Sequence, residues 1–169
     1  SQVLLDSVLC YFRQHPAHFQ SMFRICKGHS DVSLRMLDWL CTNFAKSNSG
    51  IDVNNTTLEL YHRYKNTLRG YGKRHFDPFC RKQNIEPHLH GVHFKTTIGQ
   101  LNFFRWAFEN DLIEYANQKR SEIETHMNER LSVSRRGEEA ITKRKRSQLS
   151  HLASNHCTKK IRMIRVSFS

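Results

Sequence analysis

Apolar residues recur every three or four positions through the first half of the chain, the repeat that one face of an α-helix offers to a core. Val3, Leu4, Val8 and Phe12 mark a helix over 2–14. Pro16 suits the first position of a second helix, with Phe19, Met22, Phe23 and Cys26 on one stripe, and Gly28 after Lys27 is a stop signal. Ser30 or Asp31 is expected to cap a third helix that buries Leu34, Leu37, Cys41 and Phe44. Residues 47–50 (SNSG) read as a loop. Leu60, Tyr64 and Leu68 then predict a fourth helix over 56–69, ended by Gly70 and Gly72.

The period changes after Tyr71. Residues 75–81 (HFDPFCR) form a turn around Pro78, with Asp77 as its cap. Strands are expected near 84–89 and 92–95, joined at His90-Gly91. Thr97 and Gln100 fit a capping box, in which Gln100 reaches back to the Thr97 N–H. They open the most apolar helix of the chain, 97–110. Phe103, Trp106 and Ala107 widen its stripe of Ile98, Leu101 and Phe108 until the helix suits the centre of a core. Asn110-Asp111 marks a break or bend. A long charged helix follows to about Leu131, on a thin stripe of Leu112, Ile123 and Met127, and a basic helix is expected over 138–154. At the end, Ile164, Val166 and Phe168 alternate with Arg165 and Ser167, a strand pattern that would add a third strand to the hairpin.

The expected fold is therefore α-dominated α+β. A single helical domain over 1–132 carries a small antiparallel hairpin at 84–95 or a three-stranded sheet, and 133–169 form a basic C-terminal arm of helix and strand. Eleven phenylalanines point to an aromatic core.

Charge sharpens the division. Leu131–Ser169 hold ten Lys/Arg against Glu138 and Glu139, which is +8 of the total +12, whereas the first 130 residues hold 17 against 13 acids. The candidate binding residues are Arg135, Arg136, Lys143, Arg144, Lys145, Arg146, Lys159, Lys160, Arg162 and Arg165. Such an arm would neutralise phosphates, giving sequence-independent and salt-sensitive binding to nucleic acid. Spread around a helix, the charges suit backbone contact better than base readout. The same cations would equally dock on an acidic protein surface or simply face solvent, and KRKR at 143–146 also fits a nuclear-localisation patch.

Chemistry is sparse. Five cysteines at wide spacings, with no CxxC, read as reduced core thiols. Cys80, His88, His90 and His93 are zinc-capable types in a weak pattern, and neutral surface histidines are the plain alternative. His88-Leu89-His90 also resembles the His–hydrophobic–His motif of HUH single-strand nucleases, with Tyr115 on a following helix as the attacking group and Lys119 one turn on. The expected histidine position at a hairpin tip departs from that family's large sheet. No glycine-rich phosphate loop, GxSxG, HExxH or credible carboxylate pair occurs, so the chain reads as a non-enzyme without a cofactor. No stretch approaches a membrane span, and the start reads as an amphipathic helix, so a secreted protein is not expected.

Three stretches, SLRMLDWLCTNFAK (33–46), YKNTLRGYGKRHFDPFCRK (64–82) and TTIGQLNFFRWAFENDLIEYA (96–116), together with the terminal RVSF, resemble a family of small basic proteins of nucleocytoplasmic large DNA viruses. The FDPFCR and TTIGQLNFFRWA blocks are the most specific. The resemblance implies a virus-encoded protein, made in the cytoplasm or nucleus of an infected cell and packaged in the virion. It carries over no catalytic residue. Joined to the basic arm, it predicts a virion structural protein, such as a minor capsid or inner-shell component, that binds other virion proteins. The alternative is a sequence-nonspecific nucleic-acid-binding or packaging protein.

Overall fold

The computed structural model describes residues 2–48, 51–53, 56–81 and 83–143, with backbone alone for 52, 53, 56–58 and 134–143. The N-terminal helices follow the apolar repeat. Helix α1 (Gln2–Gln14) buries Val8 and Phe12, and α2 (Pro16–Cys26) starts at its proline and buries Phe19, Met22 and Ile25. Gly28 has φ +73°, a left-handed conformation that costs glycine little. The Gly28 and His29 N–H groups return to the carbonyls of Ile25 and Arg24, closing a Schellman motif.

Helix α3 (Leu34–Trp39) is capped by Ser33, whose hydroxyl accepts from the Met36 N–H at 3.1 Å, and not by Ser30 or Asp31. The chain then widens into a π turn, Leu40–Phe44, and ends as α4 (Ala45–Ser47). The slower rotation of a π turn narrows the arc that Leu40, Cys41, Phe44 and Ala45 cover, and all four are buried.

The predicted helix start at Thr56 is wrong. Strands β1 (Ile51–Val53) and β2 (Thr56–Leu58) pair antiparallel with Val53 opposite Thr56, and α5 (Leu60–Tyr71) begins only afterwards. Val53, Thr56 and Thr57 are β-branched and so favour the extended backbone. Gly72, with φ +73°, ends α5, while Gly70 lies inside it.

The hairpin after the 75–81 turn exists in two pieces. Strand β3 (Asn84–Ile85) pairs with β6 (Thr96–Thr97), and β4 (His88–Leu89) pairs with β5 (Val92–His93). The register runs through both, with Ile85 opposite Thr96 and His88 opposite His93. Pro87 has no N–H to give, so the ladder breaks there and only the Phe94 N–H still reaches the Pro87 carbonyl, at 3.4 Å. His90 (φ +48°) and Gly91 (φ +78°) form the two-residue turn, both left-handed as a type I′ turn requires. The expected third strand over 164–168 lies outside the described residues, as does the basic helix beyond Lys143.

Helix α6 (Ile98–Glu109) is the centre of the core, with Leu101, Asn102, Phe103, Phe104, Trp106 and Ala107 buried. Phe76, from the 75–81 turn, is fully buried against it, with ring centroids 5.4 Å from Trp106 and 5.7 Å from Phe103. Burying such a ring contributes about 1.5–3 kcal/mol. Thr97 caps α6 by accepting from the Gln100 N–H at 3.2 Å. The Gln100 side chain does not close the expected box. Its amide donates to the Pro78 carbonyl at 3.0 Å and its oxygen accepts from the Thr96 hydroxyl at 3.0 Å, which staples the 75–81 turn to the helix start.

Asp111, left-handed at φ +54°, breaks the chain before α7 (Leu112–Gln118), and α8 (Arg120–Lys143) runs through the residues where two separate helices were expected. The fold is thus mostly helical, and among the described residues its strands form three antiparallel pairs. The chain divides into two units, Ser1–Arg130 and Leu131–Ser169, and in the second the helix to Lys143 is the described part. No helix among the described residues is long and apolar enough to cross a membrane.

Candidate nucleic-acid interface

The backbone of Arg135, Arg136 and Lys143 belongs to α8. Arg144, Lys145, Arg146, Lys159, Lys160, Arg162 and Arg165 lie outside the described residues.

A second basic segment, residues 59–82, belongs to the body and is separate in sequence from the arm to which the sequence assigns the binding residues. Residues 59–82 hold seven Lys/Arg against Glu59 and Asp77, while the rest of the first 130 residues hold ten against eleven acids. The net positive charge of the body is therefore concentrated in 59–82, of which Lys82 lies outside the described residues. Arg63 donates to the Asn110 side chain at 2.7 Å, and the Lys65 ammonium lies 5.6 Å from the Tyr61 ring centroid. Arg69, Lys73, Arg74 and Arg81 are exposed, and no ion pair among the described residues holds them. Asp77 accepts from the Phe79 N–H at 2.8 Å, as its expected cap role requires. A running charge count over a window of this length would have exposed the surface; averaging over the body hid it.

The 75–81 turn, which follows Lys73 and Arg74 and ends at Arg81, is fastened to α6. The buried Asn102 amide donates to the His75 carbonyl at 2.9 Å, and its oxygen accepts from Arg105 at 2.7 Å. Gly99 lets the turn come close, because a Cβ there would sit 3.1 Å from the Arg74 carbonyl oxygen and 3.2 Å from the Cys80 Cβ.

The hairpin histidines separate. His88 and His93 stack across the strands with centroids 4.3 Å apart. His90 turns the other way, where its Nε2–H donates to the Phe12 carbonyl at 2.8 Å and its ring lies 5.3 Å from Phe19. His88 and His90 therefore do not present the paired ligands of the HUH motif, and no group of three metal-ligating side chains is gathered among the described residues. Tyr115 is half-buried against the core on α7, and Lys119 pairs with Glu122 at 2.7 Å.

Elsewhere, a trough between α2 and α7 has two adjoining parts of about 380 and 270 Å³ that share Ala17, Ser21 and Asn117. His18 on its wall meets the Tyr11 hydroxyl at Nδ1 over 2.8 Å and stacks on Phe108 at 4.4 Å, so the ring is built into the packing of three helices. Burial, then the neighbouring His15, lowers its pKa. The cysteines correct the expectation of core thiols. Cys41 is buried, Cys80 is half-buried, and Cys10 and Cys26 are exposed. Cys157 lies outside the described residues.

Residues 1–140 match DUF7197, a family of unknown function. The "Uncharacterized protein L507" of Acanthamoeba polyphaga mimivirus is 36% identical over 137 residues, covering 75% of this chain and 53% of that protein. The chain thus spans about half the length of this relative. No solved structure matches. A relative from a large DNA virus agrees with the resemblance drawn from the three sequence blocks. The family match takes in the whole of the 59–82 surface and ends before Lys143. The chain belongs to the DUF7197 family.

Proposed function

We propose that this protein is a non-enzymatic structural component of a large DNA virus particle that holds nucleic acid by its phosphate backbone, without sequence preference. The observation that carries the reading is the concentration of the body's net positive charge in 59–82, a segment whose 75–81 turn is fastened to the core by Asn102 and Gln100. Exposed cations next to a backbone that is already fastened meet phosphates with little loop ordering left to be done, and only side-chain freedom is lost. The basic arm of 133–169 adds a second source of charge in the same chain. The mimiviral relative supports the viral setting.

The test is binding of the purified protein to a random duplex across a salt series. The logarithm of affinity should fall steeply with the logarithm of salt. Replacing Lys143, Arg144, Lys145 and Arg146 by glutamine should flatten the slope by about 0.9 for each phosphate that is no longer neutralised. No binding at physiological salt overturns the nucleic-acid role and makes the arm a clasp for acidic virion proteins. Absence of the protein from purified particles overturns the structural role.

A further inference from the structure

Among the described Phe, Tyr and Trp side chains, two are left exposed, Tyr71 at 42% and Phe79 at 43%. Both fall between Arg69 and Arg81, within the basic surface. We propose that Tyr71 and Phe79 are stacking platforms for unpaired bases, so that this surface prefers single-stranded nucleic acid to duplex. The inference rests on the nucleic-acid reading above and adds the class of strand.

The Tyr71 ring is braced, and the Phe79 backbone is fixed. Tyr71 lies nearly parallel to Phe76, with centroids 6.1 Å apart and planes at 19°, and Phe76 itself is fully buried. Tyr71 is thus braced by a buried ring and keeps 42% of its surface exposed. Phe79 sits at the corner of a tight turn in which the Phe79 N–H bonds to the Asp77 carboxylate at 2.8 Å and the Cys80 N–H to the Asp77 carbonyl at 3.2 Å. That carboxylate is the one acidic group between Arg69 and Arg81, and it is taken up by the turn. Lys73 and Arg74 lie two and three residues after Tyr71, so a ring and two phosphate-binding charges stand within one short loop. Cations along the backbone with rings for the bases are the combination by which sequence-tolerant single-strand binders work. In a duplex the base faces are already stacked, and the rings have nothing to cover.

The experiment uses the full chain with two labelled probes, an oligothymidylate and a random duplex of the same length. Phe79→Ser and Tyr71→Leu should each weaken oligothymidylate binding roughly tenfold and leave duplex binding nearly unchanged. Tyr71→Phe, which keeps the ring, should bind like the parent protein. Equal losses on both probes, or no loss on oligothymidylate, overturn the stacking role while the charge-based reading stands. A Lys73→Gln/Arg74→Gln variant that binds both probes as the parent does, with an unchanged salt slope, overturns the 59–82 surface as a nucleic-acid site altogether. Should Tyr71→Leu prove unfolded by circular dichroism, Phe79→Ser decides the question, because its ring is exposed at a turn whose hydrogen bonds are made by backbone and Asp77.

Discussion

Trp39 Nε1–H donates to His126 Nδ1 over 3.0 Å, joining α3 to α8 across 87 residues of sequence. The bond fixes the imidazole tautomer, since an Nδ1 that accepts leaves the proton on Nε2. The same ring meets Phe44 edge-on at 5.5 Å. His126→Phe keeps a ring for Phe44 but removes the acceptor, leaving the half-buried indole N–H without it. We expect a loss of about 1 kcal/mol in urea unfolding, with an unchanged slope. A variant within a few tenths of a kcal/mol of the parent would show that water replaces the bond at no cost.

Asn102 and Gly99 hold the basic turn against α6 in different ways. Asn102→Ala strips the His75 carbonyl of its side-chain donor and Arg105 of one of its acceptors, and should cost about 1–3 kcal/mol. Gly99→Ala gains helix propensity of up to about 1 kcal/mol, yet its methyl meets backbone at Arg74 that is held by further bonds and has little room to give. The net effect should be a loss of about 1 kcal/mol. Both variants should also loosen the 75–81 turn, and hydrogen exchange at the Asp77 and Cys80 amides should speed up. Stability that falls with no change in that exchange would separate the turn from the clamp.

Local signals are readable wherever one residue settles the backbone. Pro16 sets the start of α2, Gly28 its end, and His90-Gly91 the hairpin corner. The width of the apolar stripe places α6 at the centre. The misses share a different cause. Leu60, Tyr64 and Leu68 keep a helical repeat that gives no sign of where the helix begins, and the short strands 51–53 and 56–58 offer too few residues for an alternation to show. In the same way Cys26 passes for a member of the α2 stripe, although Phe19, Met22 and Ile25 occupy the buried side of that helix. The 59–82 surface is hidden by its setting, because the remainder of the body is slightly acidic and cancels part of it.

The cysteines should react in an order set by these positions. Cys41 is 1% exposed, and burial, with Asp38 nearby, pushes its thiol far above the ordinary range. Deprotonation, and hence attack on a disulfide reagent, is suppressed there. Cys26 is an exposed residue, yet the packing around its sulfur pushes the thiol up to about 11, with Lys27 offsetting part of the rise. Among the four described cysteines, Cys10 should therefore label first in the native protein, Cys26 and Cys80 more slowly, and Cys41 only on unfolding, which mass spectrometry of timed samples reads directly. Labelling of Cys41 at the rate of Cys10 would contradict the packing of α3 and the π turn.

Stability should fall on mild acidification, and His18 should account for a measurable part of the fall. Its ring faces the Tyr11 hydroxyl from α1, His15 from the α1–α2 junction, Phe108 from α6, and the charge of Asp111. Burial and His15 lower its pKa, and Asp111 offsets them only in part. In the unfolded chain the group returns to its ordinary value of 6.5. Between the lowered folded value and 6.5 the unfolded state therefore binds more protons, so stability rises with pH across that window and is fully present above it. Thermal midpoints recorded from about pH 7.5 down to about pH 5 should decline in the parent protein. His18→Phe keeps a flat ring for the stack on Phe108 but cannot titrate, and its decline should be shallower. Parallel curves for the two proteins would assign the acid sensitivity to other groups, and a steeper curve for the variant would reverse the sign of the argument.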